Sequence, residues 1–163
     1  MEIRSFSNTF LDDLNRESLL SVRKRKNCNI HYDYFDSCQR LFNAIGLDSY
    51  IRPHRHSLDP KYECLIAVSG LFGLFIFDGD GQILSITKFG SDLYRKAEKS
   101  CVAGVEIPPN AWHTVIALSS SAILFEVKAG PFNPLAAKEF PVWAPEEGGP
   151  SSADYLELLK GLV

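Results

Sequence analysis

Eight short runs of strand-forming residues, separated by turn residues, constrain the fold of this 163-residue chain more than any other feature. Asp78-Gly79-Asp80-Gly81, between the fourth and fifth runs, has the composition of a hairpin turn. Many short strands joined by turns are typical of a β-sandwich or β-barrel. The runs lie near residues 38–45, 49–56, 63–69, 71–78, 82–89, 102–107, 112–119 and 121–128. The sequence therefore predicts an all-β domain.

Helical patterns are confined to the two ends of the chain. Residues 9–24 have apolar side chains at helical spacing, and an extended segment from Asn27 to Tyr34 follows. Ser151 or Ser152 can cap a last helix that stops at Gly161. The predicted parts are an N-terminal helix and arm (1–35), a barrel (36–130) and a C-terminal wrap with a short helix (131–163).

Three of the four histidines and one glutamate have the spacing of a metal site. On a strand, His54 and His56 point to the same face, and Glu63 opens the next apolar run after a short connection. His113 begins a further run after a Pro-Pro-Asn turn. Imidazole with one carboxylate suits iron, manganese, nickel or zinc, and also copper or cobalt; the lack of paired cysteines disfavours a closed structural zinc site. The sequence predicts one divalent ion per chain, the alternative being hydrogen-bonded or solvated histidines without metal.

Strand alternation also suggests which residues surround a ligand. Tyr50 and Arg52 share parity with His54 and His56, so Arg52 is predicted to point into the same cavity. There it could bind a carboxylate or phosphate of a small anionic ligand, with Tyr50 beside it, or pair with a glutamate as a structural ion pair.

Two further strands contribute weaker candidates. Leu124, Glu126 and Lys128 share one face, so Glu126 could act as an acid or base if Leu124 faces the barrel; the opposite assignment fits the sequence equally well. Gln39 shares a face with Asn43 and could line the cavity as a substrate-binding residue. His31 lies outside the ligand set and is predicted to be a surface or capping histidine.

The spacing of these residues resembles the cupin superfamily. The first cupin block is matched by Gly46, His54, His56, Glu63 and Gly70. The second is matched by Gly104, Pro108, Asn110 and His113, with Asn110 in place of a glycine and Ala117 in place of an asparagine. The resemblance implies a cupin double-stranded β-helix, that is, a jelly-roll barrel, with short N- and C-terminal helices.

A narrower resemblance, over about residues 14–160, is to the WbuC-type cupin-fold metalloproteins. Its segments include Ser49-Tyr50-Ile51-Arg52-Pro53-His54-Arg55-His56, Trp112-His113-Thr114 and Phe125-Glu126-Val127-Lys128-Ala129-Gly130-Pro131-Phe132. This likeness implies a role in polysaccharide or O-antigen metabolism. Two function classes remain open: a metal-dependent enzyme (isomerase, epimerase or dioxygenase) acting on a small anionic, sugar-derived substrate, or a non-catalytic module that binds or senses a small ligand.

Composition and hydropathy indicate which classes of partner and which cellular location to expect. A net charge of −3 gives no global basic excess for nucleic acid, and Arg23-Lys24-Arg25-Lys26 is interpreted as a solvated helix end. No apolar stretch reaches the roughly 18 residues of a membrane span. Four cysteines without a Cys-x-x-Cys pair, and a start unlike a signal peptide, predict a cytoplasmic location with reduced thiols. The run at residues 71–77 is apolar on both faces, so a partner, another chain or the terminal segments should cover it; a homodimer is expected.

Overall fold

The computed structural model describes residues 3–163, and within them the chain is mainly antiparallel β-structure. The helices are α1 (Asn8–Leu20), α2 (Asp92–Ala97) and α3 (Ser152–Lys160), with one 3₁₀ turn at Pro134–Ala136. The strands are β1 (Arg25–Asn29), β2 (Cys38–Ile45), β3 (Glu63–Ser69), β4 (Leu71–Phe77), β5 (Ile83–Gly90), β6 (Gly104–Ile107), β7 (Trp112–Ala117) and β8 (Ala122–Ala129). The predicted all-β class is confirmed.

The strands form two sheets that enclose a common core. The larger sheet has the order β1-β2-β8-β3-β6 and the smaller one β5-β4-β7. Side chains from both sheets meet between them, among them Leu65 and Leu124 from the larger sheet and Phe72 and Val115 from the smaller. Since alternate residues of a strand face opposite sides, each strand sends every second side chain into this space.

The two terminal helices cover the outer faces of the sheets. Leu14 of α1 packs on Phe42 and Ile123 of the larger sheet. Leu156 and Leu159 of α3 pack on Phe75 and Phe77 of β4. The apolar run of β4 is therefore buried by its own C-terminal segment, which was one of the three covers expected. This packing removes the apolar run as a reason for a homodimer, and the dimer remains a prediction.

Two local predictions differ from the structure, and one short helix was not predicted. Residues 49–56 do not form a strand; only His54 and Arg55 make isolated bridges, to His113 and Glu139. Pro53 has no N–H to donate to a ladder, which favours such an interruption. The first helix ends at Leu20 rather than at residue 24, because Ser21 already has an extended backbone, with φ −70° and ψ 150°. Lys24 then adopts a left-handed φ of 53°, directly before the chain enters β1. Helix α2 is too short to leave a periodic pattern in the sequence.

Two features of the ends of the chain bear on its organisation. Strand β1 pairs with β2, so the larger sheet begins at Arg25, ahead of residue 36. The last helix has Ser151 at its N-cap position and Gly161 at its C-cap position, as predicted, but the Ser151 side chain makes no capping hydrogen bond. Among the residues described, no helix is both long and apolar enough to cross a membrane.

Candidate metal centre

His54, His56 and His113 converge at one end of the space between the sheets. His54 and His113 form a two-hydrogen-bond bridge, with backbone N···O distances of 3.0 and 2.9 Å. This bridge fixes the two imidazoles side by side, and His56 follows two residues later. One nitrogen from each ring lies within 4.8 Å of the others, and all three residues are buried. The spacing prediction for these three residues is confirmed as a cluster.

Each imidazole is anchored to a backbone carbonyl through the same atom. The Nδ1 atoms of His54 and His113 lie 2.9 Å from the carbonyl oxygens of Arg52 and Ala111, and Nδ1 of His56 contacts the Ala137 carbonyl. Since a carbonyl only accepts, each Nδ1 carries the ring proton and each Nε2 presents a lone pair. Such contacts orient histidines that bind metals.

Glu63, the first residue of β3, completes the group of four predicted ligands. Its Oε2 lies 3.0 Å from Nε2 of His56 and 3.5 Å from Nε2 of His113, and its Oε1 lies 2.8 Å from Nζ of Lys128. With Nδ1 protonated, both Nε2 and the carboxylate are acceptors, so a cation between them would satisfy both. Nε2 of His56 is indeed buried without a hydrogen-bond partner among the residues described. The donor set therefore fits a divalent metal ion.

Electrostatics favour the ligand forms of these side chains. Burial, together with the nearby charge of Lys138 and the neighbouring His113, lowers the pKa of His54 well below its ordinary value. Burial alone would raise the pKa of Glu63, but contacts with His113 and His56 and the charge of Lys128 hold it well below its ordinary value. A neutral imidazole beside an ionised carboxylate is the state that binds metal without first losing a proton.

The turn before His113 explains a departure from the cupin pattern. Asn110 replaces the usual glycine and has a φ of 68°, in the left-handed region. Asparagine is one of the few residues that tolerate this conformation, so the turn keeps its shape. The chain then enters β7 at Trp112, with His113 buried.

A cavity of about 130 Å³, named the metal cavity below, adjoins the histidines and is lined mainly by side chains on the inward faces of the strands. The open question about β8 is resolved, since Leu124, Glu126 and Lys128 all line it. Glu126 accepts a hydrogen bond from Nδ2 of Asn43 at 2.8 Å and lies 2.9 Å from Nζ of Lys128. The lining consists of Arg25, Asn43, Ile45, Ile51, His54, Glu63, Leu65, His113, Val115, Leu124, Glu126, Lys128 and Lys138.

Tyr50 and Arg52 do not line this cavity, so the prediction that they share it with the histidines is wrong. The Arg52 guanidinium donates to the Pro141 carbonyl at 3.1 Å and lies 5.0 Å from the centre of the Phe140 ring. The Tyr50 hydroxyl donates to the Pro145 carbonyl at 3.0 Å. Strand parity fails because residues 49–53 are not a strand, and both side chains serve instead to hold the C-terminal wrap.

Gln39 faces the same side of the larger sheet but lies outside the metal cavity. Its Nε2 donates to the carbonyls of Asp33, Tyr34 and Asp36, and the residue lines a separate pocket.

Sequence reasoning missed two basic residues of the metal cavity. Arg25 was assigned to a solvated helix end, although its alternation with Asn27 and Asn29 was a usable signal. Lys138 lies in the aperiodic wrap, where the sequence gives no directional signal.

Comparison with known proteins is informative mainly at the level of fold. A family described as a domain of unknown function, DUF6016, matches residues 6–89, more than half of the chain. The chain belongs to this family. A search of curated proteins found no match for this DUF6016 chain.

Solved structures resemble the DUF6016 chain at low sequence identity. A Shewanella oneidensis protein aligns with a TM-score of 0.54 and 8% identity, over 77% of this chain and 84% of that one. A cupin 2 conserved barrel domain protein from Rhodopseudomonas palustris gives 0.51 and 13%, over 73% and 68%. The capsular polysaccharide assembling protein CapF from Staphylococcus aureus gives 0.51 and 19%, over 66% of this chain and only 27% of CapF. These similarities confirm the predicted cupin jelly-roll fold.

Proposed function

We propose that the DUF6016 chain binds one divalent transition-metal ion through His54, His56, His113 and Glu63, and that it is an enzyme acting on a small anionic molecule. The observation that carries the proposal is the convergence of three carbonyl-anchored imidazoles, with Nε2 of His56 and Nε2 of His113 within 3.5 Å of the Glu63 carboxylate. Three imidazoles and a carboxylate are compatible with iron, manganese, nickel or zinc.

The cavity beside the ligands supports binding of an anion. Its lining contains three basic residues, Arg25, Lys128 and Lys138, against two acidic ones, Glu63 and Glu126. One guanidinium nitrogen of Arg25 donates to both carboxylate oxygens of Glu147, and Lys128 is shared by the two cavity glutamates. Lys138 makes no hydrogen bond or ion pair to any residue that the structure describes, so it is the cation best placed to bind an anionic group.

The size of the cavity limits the ligand. At about 130 Å³ it is well below the roughly 300–1,000 Å³ typical of drug-sized ligands. A compact acid fits this space, whereas a whole nucleotide sugar would have to extend beyond it. The reacting part of the substrate is therefore proposed to be a small carboxylate or similar oxyanion.

A bound metal would act as a Lewis acid that polarises an oxygen of the ligand. Within the cavity, Glu126 is positioned as a base, because Asn43 and Lys128 fix its carboxylate and it faces the same space as the metal ligands. Proton removal from carbon and its return by Glu126 would constitute an isomerisation or epimerisation. We therefore favour these reaction classes over a dioxygenase reaction.

A carbohydrate-derived substrate is the finer part of the proposal. It is supported by the resemblance of residues 14–160 to the WbuC type and by the fold that the chain shares with CapF, which is described as assembling capsular polysaccharide. A sugar acid would present the anionic group that the cavity charge favours. We also propose a cytoplasmic homodimer as the working state, without DNA, RNA or membrane as partner.

Metal analysis of the purified protein tests the core of the proposal. Wild-type protein reconstituted with iron, manganese, nickel or zinc should contain about one ion per chain, and the His54→Ala/His113→Ala double variant should lose it. Glu63→Gln should weaken binding without abolishing it. His31→Asn is the matched control, because His31 is the one histidine outside the ligand set.

Two outcomes would contradict the proposal in different ways. Full metal content in the double variant, with correct folding by circular dichroism, would exclude the ligand assignment. Turnover of small sugar acids and hydroxy acids can be measured as proton exchange at carbon in D₂O. Metal binding without any such turnover would instead favour the non-catalytic binding module.

A further inference from the structure

A second pocket opens on the same face of the larger sheet as the metal cavity, and Lys128 lines both. It has a volume of about 240 Å³ and lies at the end where β1 meets the loop that precedes β2. His31, Tyr34, Gln39 and Phe132 contribute to its wall. None of these four residues lines the metal cavity, so the second pocket is a distinct space.

His31 contributes an unpaired ring nitrogen to the wall of this pocket. Nδ1 of His31 lies 3.0 Å from the backbone nitrogen of Arg40 and 2.9 Å from the carbonyl oxygen of the same residue. A hydroxyl group both donates and accepts, so it can pair with Nε2 in either tautomer of the neutral ring. His31 is only 8% exposed, and its Nε2 has no hydrogen-bond partner among residues 3–163. A buried polar atom left unpaired destabilises the protein, so a ligand hydroxyl placed there would be favoured.

The rest of the wall combines aromatic rings with amides. Tyr34 and Phe132 form an edge-to-face pair with ring centres 5.1 Å apart, and Tyr34 is 49% exposed at the mouth. Gln39 and the exposed Asn29 add amide groups. Aromatic rings supply an apolar surface, and the amides supply both donors and acceptors.

The charge of the pocket argues against an anionic ligand. Lys128 is the one charged residue in its lining, and its ammonium is already held by Glu63 at 2.8 Å and Glu126 at 2.9 Å. One cation beside two carboxylates leaves no positive excess. The pocket is therefore suited to an uncharged molecule.

We propose that this second pocket binds an uncharged, hydroxyl-rich small molecule, such as a neutral monosaccharide or a cyclitol. A hydroxyl group would form a hydrogen bond with Nε2 of His31, and the apolar face of the ligand ring would lie against Tyr34 and Phe132. The inference goes beyond the proposed metal-dependent function, since it requires neither the metal nor the histidines that hold it.

Ligand-observed NMR with glucose, galactose, mannose and myo-inositol, and with glucuronate as the charged counterpart, tests this inference on chelator-treated protein. At least one neutral compound should bind, and more tightly than glucuronate. Tyr34→Ala and His31→Asn should each weaken binding by about five- to tenfold, as expected for the loss of one buried contact. Tyr32→Ala is the matched control, because Tyr32 is in the same loop but 98% exposed and outside the lining.

Several results would overturn the inference. The inference fails if none of the neutral compounds binds, or if Tyr34→Ala binds them as tightly as the wild type does. It also fails if His54→Ala loses binding of the neutral compounds. Tyr34→Ala provides the decisive comparison if His31→Asn fails to fold, since His31 also holds the Arg40 amide. Full metal content in Tyr34→Ala would separate failure at this pocket from failure at the metal centre.

Discussion

The metal cavity and the second pocket lie on the same face of the larger sheet, with Lys128 between them, and both depend on buried histidines. In the metal cavity, backbone carbonyls accept from Nδ1, so Nε2 presents a lone pair. In the second pocket, Nδ1 of His31 contacts both the backbone N–H and the carbonyl oxygen of Arg40, and Nε2 is buried without a partner among the residues described. In both places the local backbone anchors the ring through Nδ1 and leaves Nε2 for a ligand, so the groups around Nε2 determine which ligand each ring can bind.

The same contrast extends to charge. In the metal cavity the Glu63 carboxylate faces imidazole nitrogens, an arrangement that a cation between them would stabilise. The second pocket instead offers an unpaired ring nitrogen and amide groups to a neutral ligand. Lys128 separates the two spaces and compensates the carboxylates on the metal side. Burial alone would lower its pKa, but Glu126 and Glu63 raise it above the ordinary value. Changing Lys128 should therefore affect the metal side most strongly.

Lys128→Met should give the largest effect. It leaves Glu63 and Glu126 buried without their shared cation, which we expect to reduce the free energy of unfolding of metal-free protein by about 3–5 kcal/mol. A divalent ion at Glu63 replaces part of the missing charge, so zinc should recover part of this loss. Urea denaturation of chelator-treated and zinc-saturated protein measures both quantities.

The control for this prediction is Lys96→Met, whose side chain is 76% exposed and paired with Asp92. An exposed pair contributes about 1 kcal/mol or less, so this variant should remain near wild type. Equal losses in the two variants would mean that Lys128 has no special role between the cavities.

Glu139→Gln should have an intermediate effect, confined to the metal side. Both carboxylate oxygens of Glu139 bind the Arg55 guanidinium, at 2.9 and 2.8 Å, and the backbones of the two residues also pair. This contact holds the segment of Ala137, whose carbonyl orients His56. Loosening it should lower zinc affinity by about tenfold, as for other residues that orient metal ligands.

Competition with a chromogenic chelator measures this affinity. Glu146→Gln is the comparison, since Glu146 is an exposed residue of the same C-terminal segment, away from the histidines. Binding of a neutral monosaccharide should be unchanged in both variants. Unaltered zinc affinity in Glu139→Gln would show that His56 is oriented without this ion pair.

The sequence predicted the clustering of the candidate ligands better than it predicted their surroundings. His54, His56, Glu63 and His113 could be identified because their spacing follows from a hairpin-like return of the chain and a turn at Asn110. Arg52 was placed wrongly because strand parity was extended across Pro53, where the strand is interrupted. Side-chain direction is predictable from alternation only while the backbone remains paired.

The second pocket depends on information that a single sequence does not contain. The His31 ring is held by the backbone of Arg40, nine residues away, in a pairing that the sequence does not specify. Lys138 enters the metal cavity from an aperiodic segment, whose path is determined by packing on the barrel. By contrast, Glu126 was limited to two orientations by alternation, and the packing of Leu124 in the core selected one of them.

Lys138→Ala should give the smallest effect. It tests whether the two pockets differ in the charge of the ligand that they bind. Lys138 lines the metal cavity without an ion-pair partner among the residues described, so its loss should weaken binding of acetate or inorganic phosphate to zinc-loaded protein by about fivefold. Isothermal calorimetry measures the affinity, and Arg52→Gln should leave it unchanged because Arg52 contacts Pro141 instead of the cavity. Zinc content and monosaccharide binding should be preserved in both variants. A larger loss in Arg52→Gln than in Lys138→Ala would restore Arg52 as the anion-binding residue, and with it the side-chain arrangement that strand parity had suggested.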